Sequence, residues 1–336
     1  MSKFLRLPIL TAFACLISCN PKTDNGPQTL RITEADLINI PLEQVLSGSD
    51  YIPLVFTPES ALAESAMFLN WTSGFYLMDQ NKKKLVYQFD KEGRFVRTIG
   101  NTGKGPGEYT YLSDALITKN GLEILTVSPH TKVYKYDPDG RFIRTDRMLD
   151  RYSNSFAKNP ENGNYYFYSG GYQHLIQQVD DKSLQPVDSF LFRNTKLVTP
   201  GVQTFSSTTM GSVLFYQTFD DRIFGLDRNT IQIRYRFDVG RWTPKYEELD
   251  QQGQMKIAKE GELWFIYKAL ENSKWLYLLI SKQVNSDDTQ SQFYSLLYEK
   301  KRTSFTVCRT VLNPDLCSIQ LSDWMRTMCF TRRSNR

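Results

Sequence analysis

The chain has 336 residues, of which 40% are hydrophobic and 23% are charged, as in an ordinary folded globular protein. This length allows one large all-β domain or about two average domains. The formal net charge is +5, and no basic cluster is long enough to predict a nucleic-acid-binding arm. Aromatic residues make up 13% of the chain and are mostly Phe and Tyr, which favours strands over helices.

The first 18 residues have the pattern of a signal peptide. Lys3 and Arg6 precede an apolar run, residues 7–17, which is too short to span a bilayer. The run ends in "LISC", residues 16–19, which resembles a bacterial lipobox. We therefore predict that Cys19 is lipidated and becomes the first residue of the mature chain. The alternative is an ordinary signal peptide with an incidental Cys19.

We predict that residues 19–28 comprise the lipidated cysteine and a flexible tether. The stretch after Cys19, "NPKTDNGPQ", is polar and contains two prolines and a glycine. It lacks the apolar residues needed to fold, so we predict a flexible linker that holds the next domain off the membrane.

Residues 29–307 contain a repeat with a period of 43 to 47 residues. Two copies, residues 85–100 and 132–147, share an aromatic strand, an Asp-x-acid-Gly turn and a second strand that begins Arg-Phe. Weaker copies occupy residues 175–192 and 222–239. A period of this length, held across several copies, is typical of a repeat architecture.

Each copy predicts a β-hairpin, because alternating strands flank a turn. Gly93 and Gly140 stand where the turn needs a positive φ. Further strands are predicted at residues 74–79, 122–127, 164–169 and 213–219, and a fifth unit has strands at 262–270, 274–282 and 292–300. Three or four short antiparallel strands at this period predict an all-β fold, a β-propeller with one blade per repeat. Five blades account for the chain up to about residue 307, and the 29 residues that remain are too few for a full sixth. We expect the strands at residues 29–35 and 50–56 to complete the last blade and close the ring.

The stretch "GNTGKGPGEY", residues 100–109, invites comparison with a phosphate-binding loop. A P-loop requires Lys directly after its second glycine, but Pro106 stands there and lacks the N–H that a phosphate cradle uses. The glycine spacing also differs from a dinucleotide fingerprint, and no helical pattern follows. We interpret the stretch as a turn between two blades.

With these motifs the chain resembles the six-bladed β-propeller lipoproteins of Bacteroidetes, which have NHL-like repeats and are mostly of unknown function. In that family a Gly-x-Gly-Pro-Gly-Glu-aromatic stretch follows the hairpin, and "YIPL", residues 51–54, resembles its entry strand. The matching residues here are Gly103, Gly105, Pro106, Gly107, Glu108 and Tyr109. The resemblance implies a six-bladed β-propeller of four-stranded antiparallel blades, with an incomplete last blade as the alternative, and an address in the cell envelope. Residues 308–336 depart from the family pattern, and we interpret them as a divergent or truncated C-terminal segment.

Candidates for catalysis are few. The chain has two histidines, His130 and His174, which excludes a three-histidine metal site within it. It has no Gly-x-Ser-x-Gly elbow. The three cysteines after Cys19 predict neither a disulfide framework nor a zinc site. We interpret Cys308, Cys317 and Cys329 as incidental thiols, with one Cys308–Cys317 bridge as the alternative. The aspartate pairs at 180–181, 220–221 and 287–288 are interpreted as solvated corners, and most of the tryptophans at 71, 242, 264 and 275 as buried rather than as a sugar-stacking platform.

We therefore expect a binding or scaffold module without catalytic activity, cofactor or metal site. It would be lipid-anchored at the bacterial outer membrane, facing the periplasm or the surface. Its expected partner is a protein or glycan of the envelope rather than a nucleic acid, and it would contact the membrane only through its lipid. The alternative is a metal-dependent propeller lyase or hydrolase, similar to a lactonase, with an axial site.

Overall fold

The computed structural model describes fourteen stretches of the chain. These are residues 26–33, 52–55, 57–60, 67–71, 74–127, 130–170, 172–192, 205–208, 210–227, 230–243, 252–253, 262–284, 292–301 and 304–310. They contain 23 β-strands, most of which form five antiparallel blades. Cys19, Cys317 and Cys329 lie outside the described residues.

The strands follow the chain from blade to blade. A short strand, β1 (Gln28–Arg31), precedes the first blade. The first blade consists of β2 (Met67–Trp71), β3 (Gly74–Asp79), β4 (Leu85–Asp90) and β5 (Phe95–Ile99). A two-stranded parallel pair, β6 (Asn101–Thr102) and β7 (Glu108–Tyr109), connects it to the second blade. The second blade consists of β8 (Asp114–Thr118), β9 (Gly121–Thr126), β10 (Thr131–Tyr136) and β11 (Phe142–Leu149).

The remaining three blades have the same strand order. The third consists of β12 (Ser155–Lys158), β13 (Tyr165–Tyr168), β14 (His174–Val179) and β15 (Pro186–Phe192). The fourth consists of β16 (Phe205–Ser207), β17 (Val213–Phe215), β18 (Arg222–Asp227) and β19 (Thr230–Asp238), after which a 3-10 helix spans Gly240–Trp242. The fifth consists of β20 (Glu262–Glu271), β21 (Trp275–Val284), β22 (Gln292–Glu299) and β23 (Ser304–Thr310).

The blades are arranged around an axis, with the first strand of each innermost. Strand β2 contacts β8, β8 contacts β12, β12 contacts β16, and β16 contacts β20. The all-β propeller predicted from the repeat is therefore confirmed, with five blades in the described residues. The expected sixth blade and residues 311–336 lie outside them.

The predicted hairpins are confirmed where the repeat is strongest. Gly93 and Gly140 have φ values of +82° and +76°, as the turns require. The Asp90 carboxylate accepts a hydrogen bond from the Arg94 N–H at 2.8 Å, and Asp137 binds the Arg141 N–H at the same distance. An aspartate that bridges the turn in this way explains why the repeat carries Asp at its start.

The hydrophobic core lies between the faces of neighbouring blades. Tyr76 and Met78 of the first blade pack with Leu122 and Ile124 of the second, and all four are buried. Similar clusters join the second blade to the third, the third to the fourth, and the fourth to the fifth. A blade buries its apolar faces only against its neighbours, so each one depends on the next for stability.

The N-terminal strands do not complete the last blade in the part of them that the structure describes. Strand β1 pairs in parallel with β19, on the outer edge of the fourth blade, and buries Leu30 completely. Val55 forms a parallel bridge with Arg94 in the first blade. The expectation that both segments close the ring is therefore wrong for these residues. No helix among the described residues has the length and apolarity to cross a bilayer.

Candidate functional site

The glycine-rich stretch folds into a tight loop that encloses its own carboxylate. Glu108 Oε2 accepts a hydrogen bond from the Gly105 N–H at 2.8 Å. A Cβ atom added to Gly103 would lie 2.0 Å from the same oxygen. Gly107 has a φ of +74° and lies against Phe142. An anionic side chain thus occupies the place where a phosphate loop would hold its ligand.

The loop also locks the first two blades together. The Tyr136 hydroxyl donates to the Gly107 carbonyl at 2.8 Å, and the Tyr109 hydroxyl donates to the Ile99 carbonyl at 3.2 Å. Burial raises the pKa of both tyrosines. The structure therefore places Gly103, Gly105, Pro106, Gly107, Glu108 and Tyr109 in the connection between β5 and β8.

A buried ion network joins the second and third blades. Lys135 Nζ lies 2.8 Å from Asp146 and 3.4 Å from Asp181. Lys158 Nζ lies 3.2 Å from Asp181 and 3.3 Å from Glu123. Burial opposes ionisation of Asp146 and Asp181, but the nearby lysines outweigh it and hold the pKa of each carboxyl below its ordinary value. These charges are satisfied by one another, which indicates a structural role.

A second network joins the fourth and fifth blades. The Glu271 carboxylate lies 2.5 Å from Arg234 Nη1 and 2.7 Å from Lys300 Nζ, and it accepts the Tyr235 hydroxyl at 2.5 Å. Arg234 also pairs with Asp227 at 2.9 Å. Sequence reasoning missed both networks because their members come from different strands and blades.

Three of the four aspartates of these pairs that the structure describes are not solvated corners. Asp220 is buried and pairs with Arg222 at 2.8 Å, while Asp221 pairs with Arg236 at 2.9 Å. Asp181 belongs to the network between the second and third blades. The interpretation was therefore wrong for these three, since close cations allow carboxylates to leave the solvent. Asp180 does lie at a turn, where its Oδ1 accepts the Ser183 N–H at 2.7 Å. The pair at 287–288 lies outside the described residues.

The two histidines lie in different surroundings. His130 Nδ1 lies 3.6 Å from an Asp150 carboxylate oxygen in a loop, and the His174 ring packs edge-on against Phe192 at 5.3 Å. Within the described stretches, no three His, Cys, Asp or Glu side chains are placed to hold a metal ion.

Asp114 is a carboxyl at the inner rim of the propeller whose pKa is raised. It begins the innermost strand of the second blade and is fully buried, which raises its pKa to about 6. Its two oxygens accept the N–H groups of Ala115 and Phe156 at 2.8 and 3.1 Å. Because Phe156 belongs to the third blade, Asp114 links two inner strands.

One face of the propeller carries aromatic side chains paired with cations. It is formed by the loops between second and third strands and by the connections between blades, and we call it the loop face. Lys84 Nζ lies 4.8 Å from the centre of the half-exposed Tyr111 ring. Arg151 Cζ lies 5.1 Å from the centre of the Tyr172 ring at the next blade junction. The Tyr172 hydroxyl accepts the Tyr152 N–H at 3.3 Å.

Arg151 is the residue on this face that is hardest to explain by folding alone. Its Nε and Nη2 atoms are buried and have no hydrogen-bond partner. Burial lowers the pKa of this guanidinium. Nothing in the local sequence, "DRYSN", signals this environment. By contrast, Trp264 is buried and Trp275 packs beside an apolar cluster, while the side chains of Trp71 and Trp242 lie outside the described set.

A family model described as a domain of unknown function, DUF4934, matches residues 27–325. The chain belongs to this family. No curated protein matches it. The match agrees with the expected class, a β-propeller of unknown function.

Several solved structures are similar to this DUF4934 chain. A provisionally designated exported protein of Bacteroides fragilis has a TM-score of 0.66 and 17% identity, over 84% of this chain and 80% of that one. A Bacteroides caccae protein of unknown function has a TM-score of 0.44 and 11% identity, over 68% and 75%. Virginiamycin B lyase from Staphylococcus aureus has a TM-score of 0.43 and 9% identity, over 74% and 84%. The first likeness shows the fold, and the other two are too distant to bear on function.

Proposed function

We propose that this DUF4934 propeller is a lipid-anchored binding or scaffold module of the bacterial cell envelope, and that its loop face binds the partner. The observation that carries the proposal is the pair of aromatic–cation contacts, Lys84 with Tyr111 and Arg151 with Tyr172, at successive blade junctions. Tyr and Arg are enriched at recognition surfaces, because they combine a large apolar area with directed hydrogen bonding.

The blade interfaces support this assignment by contrast. There, Lys135, Lys158 and Arg234 are surrounded by carboxylates and stabilise the ring. On the loop face, Tyr111 and Tyr172 remain 50% and 40% exposed beside their cations. Exposed aromatic rings give little to folding and are available for a ligand.

The proposed anchor is Cys19, which lies outside the described residues. Gln28, where β1 begins on the outer edge of the fourth blade, is nine positions after it in the chain. An extended chain of this length reaches roughly 30 Å. Lipidation would therefore hold that blade close to the membrane. The exported designation of the Bacteroides fragilis protein supports a location outside the cytoplasm.

Metabolic palmitate labelling of the wild type and of Cys19→Ala tests the anchor. We expect label only in the wild type, and equal labelling of both forms would contradict it. Cross-linking in intact cells tests the loop face, with Tyr111→Ala/Tyr172→Ala compared with Ile143→Ala. Ile143 is exposed at the start of the outer strand of the second blade, at the end opposite the loop face. The double variant should lose the partner and Ile143→Ala should keep it. Equal capture by all three forms would rule out the loop face.

A further inference from the structure

One edge of the Arg151 guanidinium carries donors in the arrangement that binds an anion. The Nε and Nη2 atoms form the side of a guanidinium that pairs with the two oxygens of a carboxylate. Arg222 uses this edge in the fourth blade, where its Nε donates to Asp220 at 2.8 Å and its Nη2 donates at 3.1 Å. In Arg151 the same two nitrogens are buried and have no partner.

The neighbouring carboxylate does not serve Arg151. Asp150 lies directly before it in the chain, but the Asp150 carboxylate lies 2.5 Å from Arg147 Nη2 and 3.6 Å from His130 Nδ1. Leaving buried donors of a charged group unpaired is unfavourable for folding. An arginine kept in this state is explained by a ligand that supplies the missing acceptors.

One aromatic ring lies against the guanidinium. The centre of the Tyr172 ring is 5.1 Å from Arg151 Cζ, and this side chain is 40% exposed. The site thus combines one cation with flat apolar surface. A uronic acid has the matching chemistry, since its ring presents an apolar C–H face and carries one carboxylate.

We infer that Arg151 and Tyr172 bind the carboxylate and ring of a uronate in an acidic glycan. This inference rests on the proposed function and specifies its ligand. Because Nε and Nη2 are covered in the free chain, binding requires a small movement of the guanidinium or of the loop that carries Tyr172. An acidic peptide is less suited to the site, because it would engage several cations rather than one cation beside one aromatic ring.

Titration calorimetry of the full-length chain at low salt, with trigalacturonate as the probe, tests the inference. We expect the wild type to bind trigalacturonate, and neutral galactotriose to bind at least tenfold more weakly. Arg151→Gln should weaken trigalacturonate binding at least tenfold. Arg147→Gln is the matched control, because that arginine lies four residues earlier, near the end of the outer strand of the second blade, and is already paired with Asp150. It should bind within twofold of the wild type.

Several results would overturn the inference. These are equal trigalacturonate affinity in the wild type and Arg151→Gln, no binding to the wild type, and tighter binding of a hexaglutamate peptide than of trigalacturonate. A partner captured through Tyr111 and Tyr172 without uronate binding would overturn only the ligand assignment. Failure of both the capture and the titration would overturn the proposed function as well.

Thermal unfolding separates a ligand-binding arginine from a structural one. Arg151→Met should melt at the same temperature as the wild type or higher, because it removes unpaired buried donors. Trigalacturonate should raise the melting temperature of the wild type but not of this variant. A clear drop in the melting temperature of unliganded Arg151→Met would assign the residue to folding and overturn the inference.

Discussion

The Glu108 carboxylate accepts the Gly105 N–H at 2.8 Å from inside the loop that joins the first two blades. The glycines around it make room for this carboxylate and for the turn, rather than for a bound phosphate. The loop then places Tyr109 between the blades, where its hydroxyl donates to the Ile99 carbonyl. The stability of this blade junction should therefore be sensitive to glycine substitutions in the loop.

Replacing Gly107 by alanine should destabilise the propeller. Its φ is +74°, and the new Cβ would lie 2.8 Å from Phe142 Cβ. Backbone strain and the clash together should lower the free energy of unfolding by about 2–4 kcal/mol. Gly240→Ala is the matched control, since φ there is +73° with no atom within 4 Å of the added Cβ. It should cost about 1–2 kcal/mol. Equal losses in urea unfolding would contradict the role assigned to the Phe142 contact.

Neutralising Glu271 should disrupt the junction of the fourth and fifth blades. Its side chain is 1% exposed and pairs with Arg234 and Lys300, so Glu271→Gln leaves two cations with less compensation. We expect a loss of about 3–5 kcal/mol in the free energy of unfolding. Asp139→Asn is the control, because its pair with Arg141 is 3.7 Å long and exposed. It should change stability by less than about 0.5 kcal/mol. A similar small effect of Glu271→Gln would show that the buried network is dispensable.

Asp114 should make the stability of the propeller depend on pH. Burial raises its folded pKa from 3.8 to about 6. The folded chain therefore binds this proton more tightly than the unfolded chain, and the contribution of Asp114 to stability falls as the pH rises from about 4 to about 6. The loss is about 3 kcal/mol for a shift of about two pKa units.

Urea unfolding of the wild type and Asp114→Asn across this pH range measures that contribution. Asparagine cannot accept both the Ala115 and the Phe156 N–H with one amide oxygen, so the variant starts less stable. Its stability relative to the wild type should nevertheless improve as the pH rises. A constant difference between pH 4 and pH 7 would show that Asp114 titrates normally.

The propeller could be predicted from sequence because its signals are local. The turns at Gly93 and Gly140 lie within single hairpins, and the period places one hairpin after another. The ion networks could not be predicted in this way. Lys135 and Asp181 are 46 residues apart, and their contact depends on how two blades pack. The unpaired state of Arg151 is equally invisible in the sequence, since it depends on which cation the Asp150 carboxylate binds. The candidate site depends on tertiary contacts between and within blades, whereas the fold follows from turns that recur along the sequence.

The position of β1 gives a final prediction. Arg31 and Asp238 are 207 residues apart and form an ion pair at 2.9 Å, and Leu30 is completely buried between the fourth and fifth blades. Leu30→Ala should therefore lower the free energy of unfolding by about 2–5 kcal/mol, as for a core leucine. Val187→Ala, on the exposed outer strand of the third blade, should change it by less than about 0.5 kcal/mol. If β1 were only part of the tether, the two variants would unfold alike. A large loss for Leu30→Ala would show that the folded domain begins with β1, at the edge of the fourth blade.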